Sequence, residues 1–155
     1  MVTDQLRITS AIESLHSRFA SFANADLTTP AAGGGTAFGT FDAQGRRLPF
    51  APRWTGNLSV NYRFQTAFGA IDGATSYSYN SGWFAEPDNR LRQGAFGILN
   101  ATVTWCAPRG GDEYRLWAKN LTNSAYVVAL ASQANGDFAQ YAPPRTYGAA
   151  FTRHF

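Results

Sequence analysis

From Trp54 to Phe64 the chain alternates without a break. Trp54, Gly56, Leu58, Val60, Tyr62 and Phe64 share one parity, and Thr55, Asn57, Ser59, Asn61 and Arg63 share the other. A period of two predicts a strand with one apolar and one polar face. The segment is about eleven residues long, the length a tilted strand needs to cross a bilayer. Its aromatics sit at the ends and its aliphatics in the middle. A soluble sandwich has no reason to order them so, whereas a membrane barrel places aromatics at its two interfaces.

Other segments repeat the pattern. In 68–80, Ile71, Thr75, Tyr77 and Tyr79 oppose Asp72, Ser76, Ser78 and Asn80; in 97–106, Leu99, Ala101, Val103 and Trp105 oppose Asn100, Thr102 and Thr104. A last strand over 145–155 sets Tyr147, Ala149, Phe151 and Phe155 against Thr146, Ala150, Thr152 and His154. A first strand is expected within 5–22, where a slip of phase between Ile12 and Leu15 suggests a bulge. In 112–122 the parities are mixed, and the face of Trp117 stays open.

The connections alternate too. Gln65-Thr66-Ala67 and Pro108-Arg109-Gly110-Gly111 are short, while 23–49, 81–94 and 122–143 are long and rich in Gly, Ala, Asn, Asp and Pro. Up-and-down membrane barrels have short periplasmic turns and long extracellular loops, so this order sets the direction of every strand. The first, third and fifth run outward and the second, fourth and sixth inward. Trp54, Tyr79 and Tyr147 then fall at the outer interface, and Tyr62, Phe64, Trp105 and Phe155 at the inner one. The predicted fold is all-β: a partial antiparallel transmembrane barrel of about six meander strands.

Composition agrees with a chain that has one greasy and one wet surface. It is 45% hydrophobic and 15% aromatic but only 15% charged, against about 25% for a soluble domain. No stretch is apolar for long enough to form a membrane helix. The thirteen basic residues are scattered, with Arg46-Arg47 the longest run, which argues against a nucleic-acid partner. Cys106 is the sole cysteine, so no internal disulfide forms, and no Cys/His spacing suggests a metal site. No cofactor is expected. His16 and His154 are the only histidines, and no Gly-X-Ser-X-Gly motif occurs, so no catalytic constellation is predicted. Asp88, Arg90, Arg92 and Asp137 are charges of the outer loops, expected to be solvated or to meet a polar ligand.

Three motifs carry a family resemblance. Leu48-Pro49-Phe50-Ala51-Pro52-Arg53-Trp54-Thr55 leads from a long loop into a descending strand. Lys119-Asn120-Leu121-Thr122-Asn123 is followed by Tyr126. Pro144-Arg145-Thr146-Tyr147-Gly148 opens a strand that reaches Phe155. In this order and spacing they resemble the C-terminal barrel region of TonB-dependent receptors, over roughly residues 6–155. Locally, Pro52 and Pro144 sit at strand entrances, where a missing amide costs least. Asn120 suits a strand exit, and Gly148 leaves room for a neighbouring ring. These residues, with Leu121, Tyr126, Arg145 and Tyr147, are expected to shape the barrel rather than touch ligand. Arg153 departs from the family's usual aromatic at that position and is expected to snorkel to the interface.

The resemblance implies energised uptake of a scarce ligand such as a ferric siderophore, in the outer membrane of a Gram-negative cell. It implies barrels of about twenty-two strands filled by a plug. The expected partners are therefore outer-membrane lipid, the remaining strands and plug, the TonB complex through an N-terminal region, and the barrel-assembly machinery through the last strand and Phe155. Six strands alone would leave two edges in hydrocarbon, on the order of ten unpaired groups and tens of kcal/mol. Residues 1–155 are thus expected to be part of a larger barrel, and Met1, with no export signal after it, to mark a truncation, an incomplete assembly or an internal start. The rival readings are a soluble β-sandwich that binds ligands through its loops and an outer-membrane barrel enzyme.

Overall fold

The computed structural model describes residues 5–108 and 111–153. Phe155, His154 and two residues of the turn expected at 108–111, Arg109 and Gly110, lie outside these described residues. Among them the chain forms β1 (Leu6–Ser14), β2 (Ala25–Pro30), β3 (Thr36–Phe41), β4 (Trp54–Thr66), β5 (Gly69–Asn80), β6 (Trp83–Phe84), β7 (Arg92–Gln93), β8 (Phe96–Cys106), β9 (Asp112–Lys119), β10 (Val127–Gln133), β11 (Gly136–Tyr141) and β12 (Thr146–Arg153). Six of them build one antiparallel sheet in the order β1-β4-β5-β8-β9-β12. Each strand neighbours the next in sequence once the loop hairpins β2–β3, β6–β7 and β10–β11 are set aside, so the topology is the up-and-down meander.

The register explains the two faces. Leu58 stands opposite Ser10 and Tyr77, and Tyr77 opposite Leu99; Phe64 stands opposite Ile71, and Ile71 opposite Trp105. On the other parity Ser59 faces Ser76, which faces Asn100, and Asn61 faces Ala74, which faces Thr102. Apart from Ser10 the partners on the first parity are apolar, so cross-strand alignment gathers the apolar residues on one face. Ile8, Ile12, Leu58, Val103, Leu116 and Phe151 are all exposed, as a lipid-facing surface requires. At the inner end the rings of Trp105 and Tyr114 lie 5.2 Å apart and those of Tyr114 and Phe151 5.0 Å apart, a girdle continuous across three strands. Tyr114 belongs to it although the mixed parity of its segment hid it.

The structure corrects the outline in two places and completes it in two more. First, β1 stops at Ser14 and its ladder with β4 carries no bulge. Beyond Ser14 the chain still pairs, through Leu15 N to Arg53 O at 2.9 Å and Phe19 N to Arg46 O at 2.9 Å, but too sparsely for a strand. Second, the turn between β4 and β5 tightens to Ala67-Phe68, and Gly69 at φ +119° lies so close to the Cys106 carbonyl that no side chain fits there. Third, Trp117 belongs to the polar face, opposite Thr102 and Gly148. Fourth, Arg153 pairs with Asp112 at 3.5 Å, and both lie at the inner end of the apolar face.

Candidate functional site

The chemistry gathers at the outer end, where the three long loops meet. Each of these long loops folds a hairpin of its own, because backbone groups packed among neighbouring loops need partners. Trp83, Ala85 and Val127 form a small buried cluster with Leu91 and Leu130 packed against it. Phe50 brings the first loop onto Trp83 of the second, with centroids 4.7 Å apart. Gln93 Oε1 accepts from Val127 N at 2.7 Å and joins the second loop to the third.

Arg90 is the hub of this cap. Its guanidinium grips Asp137 with two hydrogen bonds of 2.7 Å, donates through Nε to Thr28 Oγ1 at 3.1 Å, and reaches Ser132 Oγ. The Thr28 hydroxyl donates in turn to Asp88 Oδ2 at 2.7 Å, and Thr28 N to the same oxygen at 3.0 Å. Glu86 receives Ser132 N at 2.6 Å and Ser132 Oγ at 3.0 Å. Thr28 comes from the first long loop, Glu86, Asp88 and Arg90 from the second, and Ser132 and Asp137 from the third. Two parallel bonds between charged planes fix orientation as well as distance. The hydrogen bonds from Arg90 hold the Asp137 carboxyl below its ordinary range, against a smaller opposing effect of burial. Asp88, Arg90 and Asp137 are therefore committed to one another, and the expectation of solvated loop charges is corrected for them. Thr28, Glu86 and Ser132 carried no sequence signal, being ordinary loop residues until the loops meet.

A second feature adjoins the cap. Leu15, His16, Ser17, Arg18, Arg47 and Arg53 line a cavity of about 220 Å³. Arg53 and Leu15 share the parity of Thr55, Asn57 and Glu13, so these two residues continue the polar face upward. Arg18 Nη1 donates to Gly45 O at 2.7 Å and Arg47 Nη2 to Ala51 O at 3.2 Å. Asn89 holds the Arg47 backbone from both sides, accepting from its N and donating to its O, each at 2.9 Å. The one hint in the sequence was the pair Arg46-Arg47.

The motif residues lie mainly at a corner between β9 and β12. Asn120 is buried at φ +52°, where it ends the ladder of β9. Its side chain donates to Ser124 O at 3.0 Å and accepts from Ser124 N at 2.9 Å, while its own N donates to Asn100 Oδ1 at 3.0 Å. Leu121 N donates to Leu99 O at 2.7 Å. Arg145 N donates to Asn123 Oδ1 at 3.0 Å, and Tyr126 stacks on Phe96 at 4.5 Å. Pro144 and Tyr147 continue from this corner into β12, with Tyr147 exposed, and Pro52 precedes β4 on the far side of the sheet. Of the three motifs, only the first reaches the basic cavity, through Arg53.

Residues 14–127 match the profile of the family described as TonB dependent receptor-like, beta-barrel. The chain belongs to this family. The pesticin receptor of Yersinia pestis is 33% identical over 104 residues, 67% of this chain and 15% of the receptor. That of Yersinia enterocolitica is 33% identical over 63 residues, 41% of this chain and 9% of the receptor. Among solved structures, the ferric yersiniabactin uptake receptor FyuA of Yersinia pestis superposes with a TM-score of 0.67 at 22% identity, covering 96% of this chain and 27% of that one. The siderophore receptor PiuA of Acinetobacter baumannii gives 0.70 at 16% identity, over 97% of this chain and 19% of that one. This chain thus spans between about a tenth and a quarter of the length of these relatives. TonB-dependent receptors are β-barrels of the Gram-negative outer membrane, and the two-faced sheet has the surface chemistry that environment demands.

Proposed function

We propose that this chain supplies the final strands and outer loops of an outer-membrane receptor that imports a scarce ligand, of the ferric siderophore kind, with energy delivered through TonB. The observation that carries the reading is the loop cap: three long loops of a TonB-dependent receptor barrel, locked together above the polar face of the sheet. A pore needs no such assembly, whereas a receptor that must hold a dilute ligand at the mouth gains from loops already ordered. The relatives are receptors and transporters, which favours uptake over catalysis. On this reading lipid covers the apolar face, earlier strands join the free edge of β1, and the first strand of the barrel joins β12. The corner built by Asn120, Leu121, Asn123, Tyr126 and Arg145 sets the angle of the last hairpin, and the assembly machinery reads the last strand. The test is uptake of radiolabelled ferric chelates by cells producing the full receptor, with and without TonB. Uptake of a chelate that needs both receptor and TonB is expected. Equal uptake without the receptor would overturn the reading.

A further inference from the structure

The first outer loop carries the longest basic run of the chain, Arg46-Arg47. The pair lies between β3 and β4, in a stretch without strand structure, with Arg46 exposed and Arg47 half-buried. Exposed irregular segments are where proteases nick folded chains. An endoprotease takes its substrate as an added extended strand, bonding to the main-chain N–H and C=O groups on either side of the bond it cuts. At Arg46-Arg47 all four of those groups are engaged inside the chain. Arg46 N donates to Ala43 O at 2.9 Å, and Arg46 O accepts from Phe19 N at 2.9 Å. Arg47 N donates to Asn89 Oδ1 and Arg47 O accepts from Asn89 Nδ2, each at 2.9 Å. Asn89 belongs to the second loop and sits at φ +57°. Its own N and its Nδ2 both donate to Glu86 O, at 3.1 Å and 3.2 Å. One amide side chain therefore closes both sides of the Arg47 backbone, and the turn that carries Glu86 and Asp88 into the cap holds that amide in place.

We infer that the Arg46–Arg47 bond is a latent cleavage site for a surface endoprotease that reads two adjacent basic residues, and that Asn89 holds it shut. The class of protease follows from charge, since neighbouring guanidinium groups call for acidic pockets on both sides of the cut. Hydrolysis adds one water across the bond and leaves a carboxylate on Arg46 and an ammonium on Arg47. The clip must open first, because Arg47 cannot bond to Asn89 and to a protease strand at once. The rate of cutting therefore follows the small fraction of molecules in which the first loop has left the second. A cut parts Thr28 and its hairpin from Phe50, the two points where the first loop joins the cap. The sheet stays whole, because β1 and β4 remain paired from Leu6↔Tyr62 to Ser14↔Trp54. None of this depends on which ligand is imported.

The test treats the full receptor, on intact cells and in detergent, with a purified bacterial surface protease that cuts between two basic residues. The unaltered receptor should be cut slowly. Asn89→Gly keeps the left-handed turn, which glycine adopts freely, and removes the clip. It should be cut roughly tenfold to a hundredfold faster, with Arg47 as the new N-terminal residue on sequencing of the fragment. Adding Arg46→Gln to Asn89→Gly removes the basic pair and should return cutting to the slow rate. Heat-modifiable mobility on gels shows which variants are folded before protease is added. Should Asn89→Gly fail that check, the unaltered receptor carries the test: its slow cutting should begin at Arg46–Arg47 before any other loop bond. Equal rates for folded Asn89→Gly and the unaltered receptor would overturn the clip. First cutting at another loop bond, fast cutting that persists without Arg46, or no cutting in any receptor would overturn the site.

Discussion

The indole of Trp117 occupies the space above Gly148: a Cβ at position 148 would stand 2.6 Å from Trp117 Cζ2 and 2.8 Å from Cε2. The two residues are cross-strand partners on β9 and β12, so the contact lies on the last hairpin of the sheet. An aromatic over a glycine covers backbone that would otherwise be bare and fixes the register of the pair. Gly148→Val should therefore destabilise the hairpin by about 1–3 kcal/mol, as overpacking does. Trp117→Ala combined with Gly148→Val should cost less than the two changes added, because the clash has lost one partner. Unfolding of the full receptor in urea would check both, and strict additivity would count against the contact.

Labelling along β4 should alternate. Cysteines at Asn57, Ser59 and Asn61 in the full receptor should react with a water-soluble maleimide, whereas those at Leu58 and Val60 should be shielded by lipid. The native Cys106 must first be changed to Ser. Equal reaction at positions 57 and 58 would show that the two faces have been misassigned.

The loop cap should respond to acid late. Asp137 is held below the usual carboxylate range, so its contribution is complete above the unfolded value of about 4 and is lost as pH falls through the lowered value in the folded protein. Between pH 5 and 8 the cap should not loosen on this account. Arg90→Gln removes the hub at every pH and should weaken closure by about 1 kcal/mol, a modest figure because Asp137 is partly exposed to solvent. Amide hydrogen exchange over residues 127–141 in the full receptor would report it as faster exchange. Unchanged protection in the Arg90 variant would mean that the hairpins hold the cap without the ion pair.

Residues 1–155 produced alone should not yield a protease-resistant, heat-modifiable monomer in outer membranes. β1 and β12 each have one unpaired edge among the described strands, and each unpaired group in hydrocarbon costs several kcal/mol. Recovery of such a monomer at the mass of this chain would show that the edges close by some other route.

What the sequence determined by itself was the part of the fold that depends on neighbours along the chain. A strand of period two states which residues share a face, as Leu58 and Asn57 do, and the alternation of short and long connections states which way each strand runs. Those signals are local, so they survive without coordinates. Trp117 broke the pattern because its partner is a glycine on another strand, and only the pairing with Gly148 shows that a bulky ring fits on the polar face. The cap needed more still. Arg90 meets Asp137 across 47 residues and Thr28 across 62, and neither contact leaves a trace in the spacing of either loop. The basic cavity likewise joins Arg18 to Arg47 and Arg53 only because the chain after β1 runs back beside the approach to β4. Residues that act through long-range contacts in irregular loops follow no period, so the tertiary structure alone decided which of the scattered charges neutralise one another and which face an open cavity.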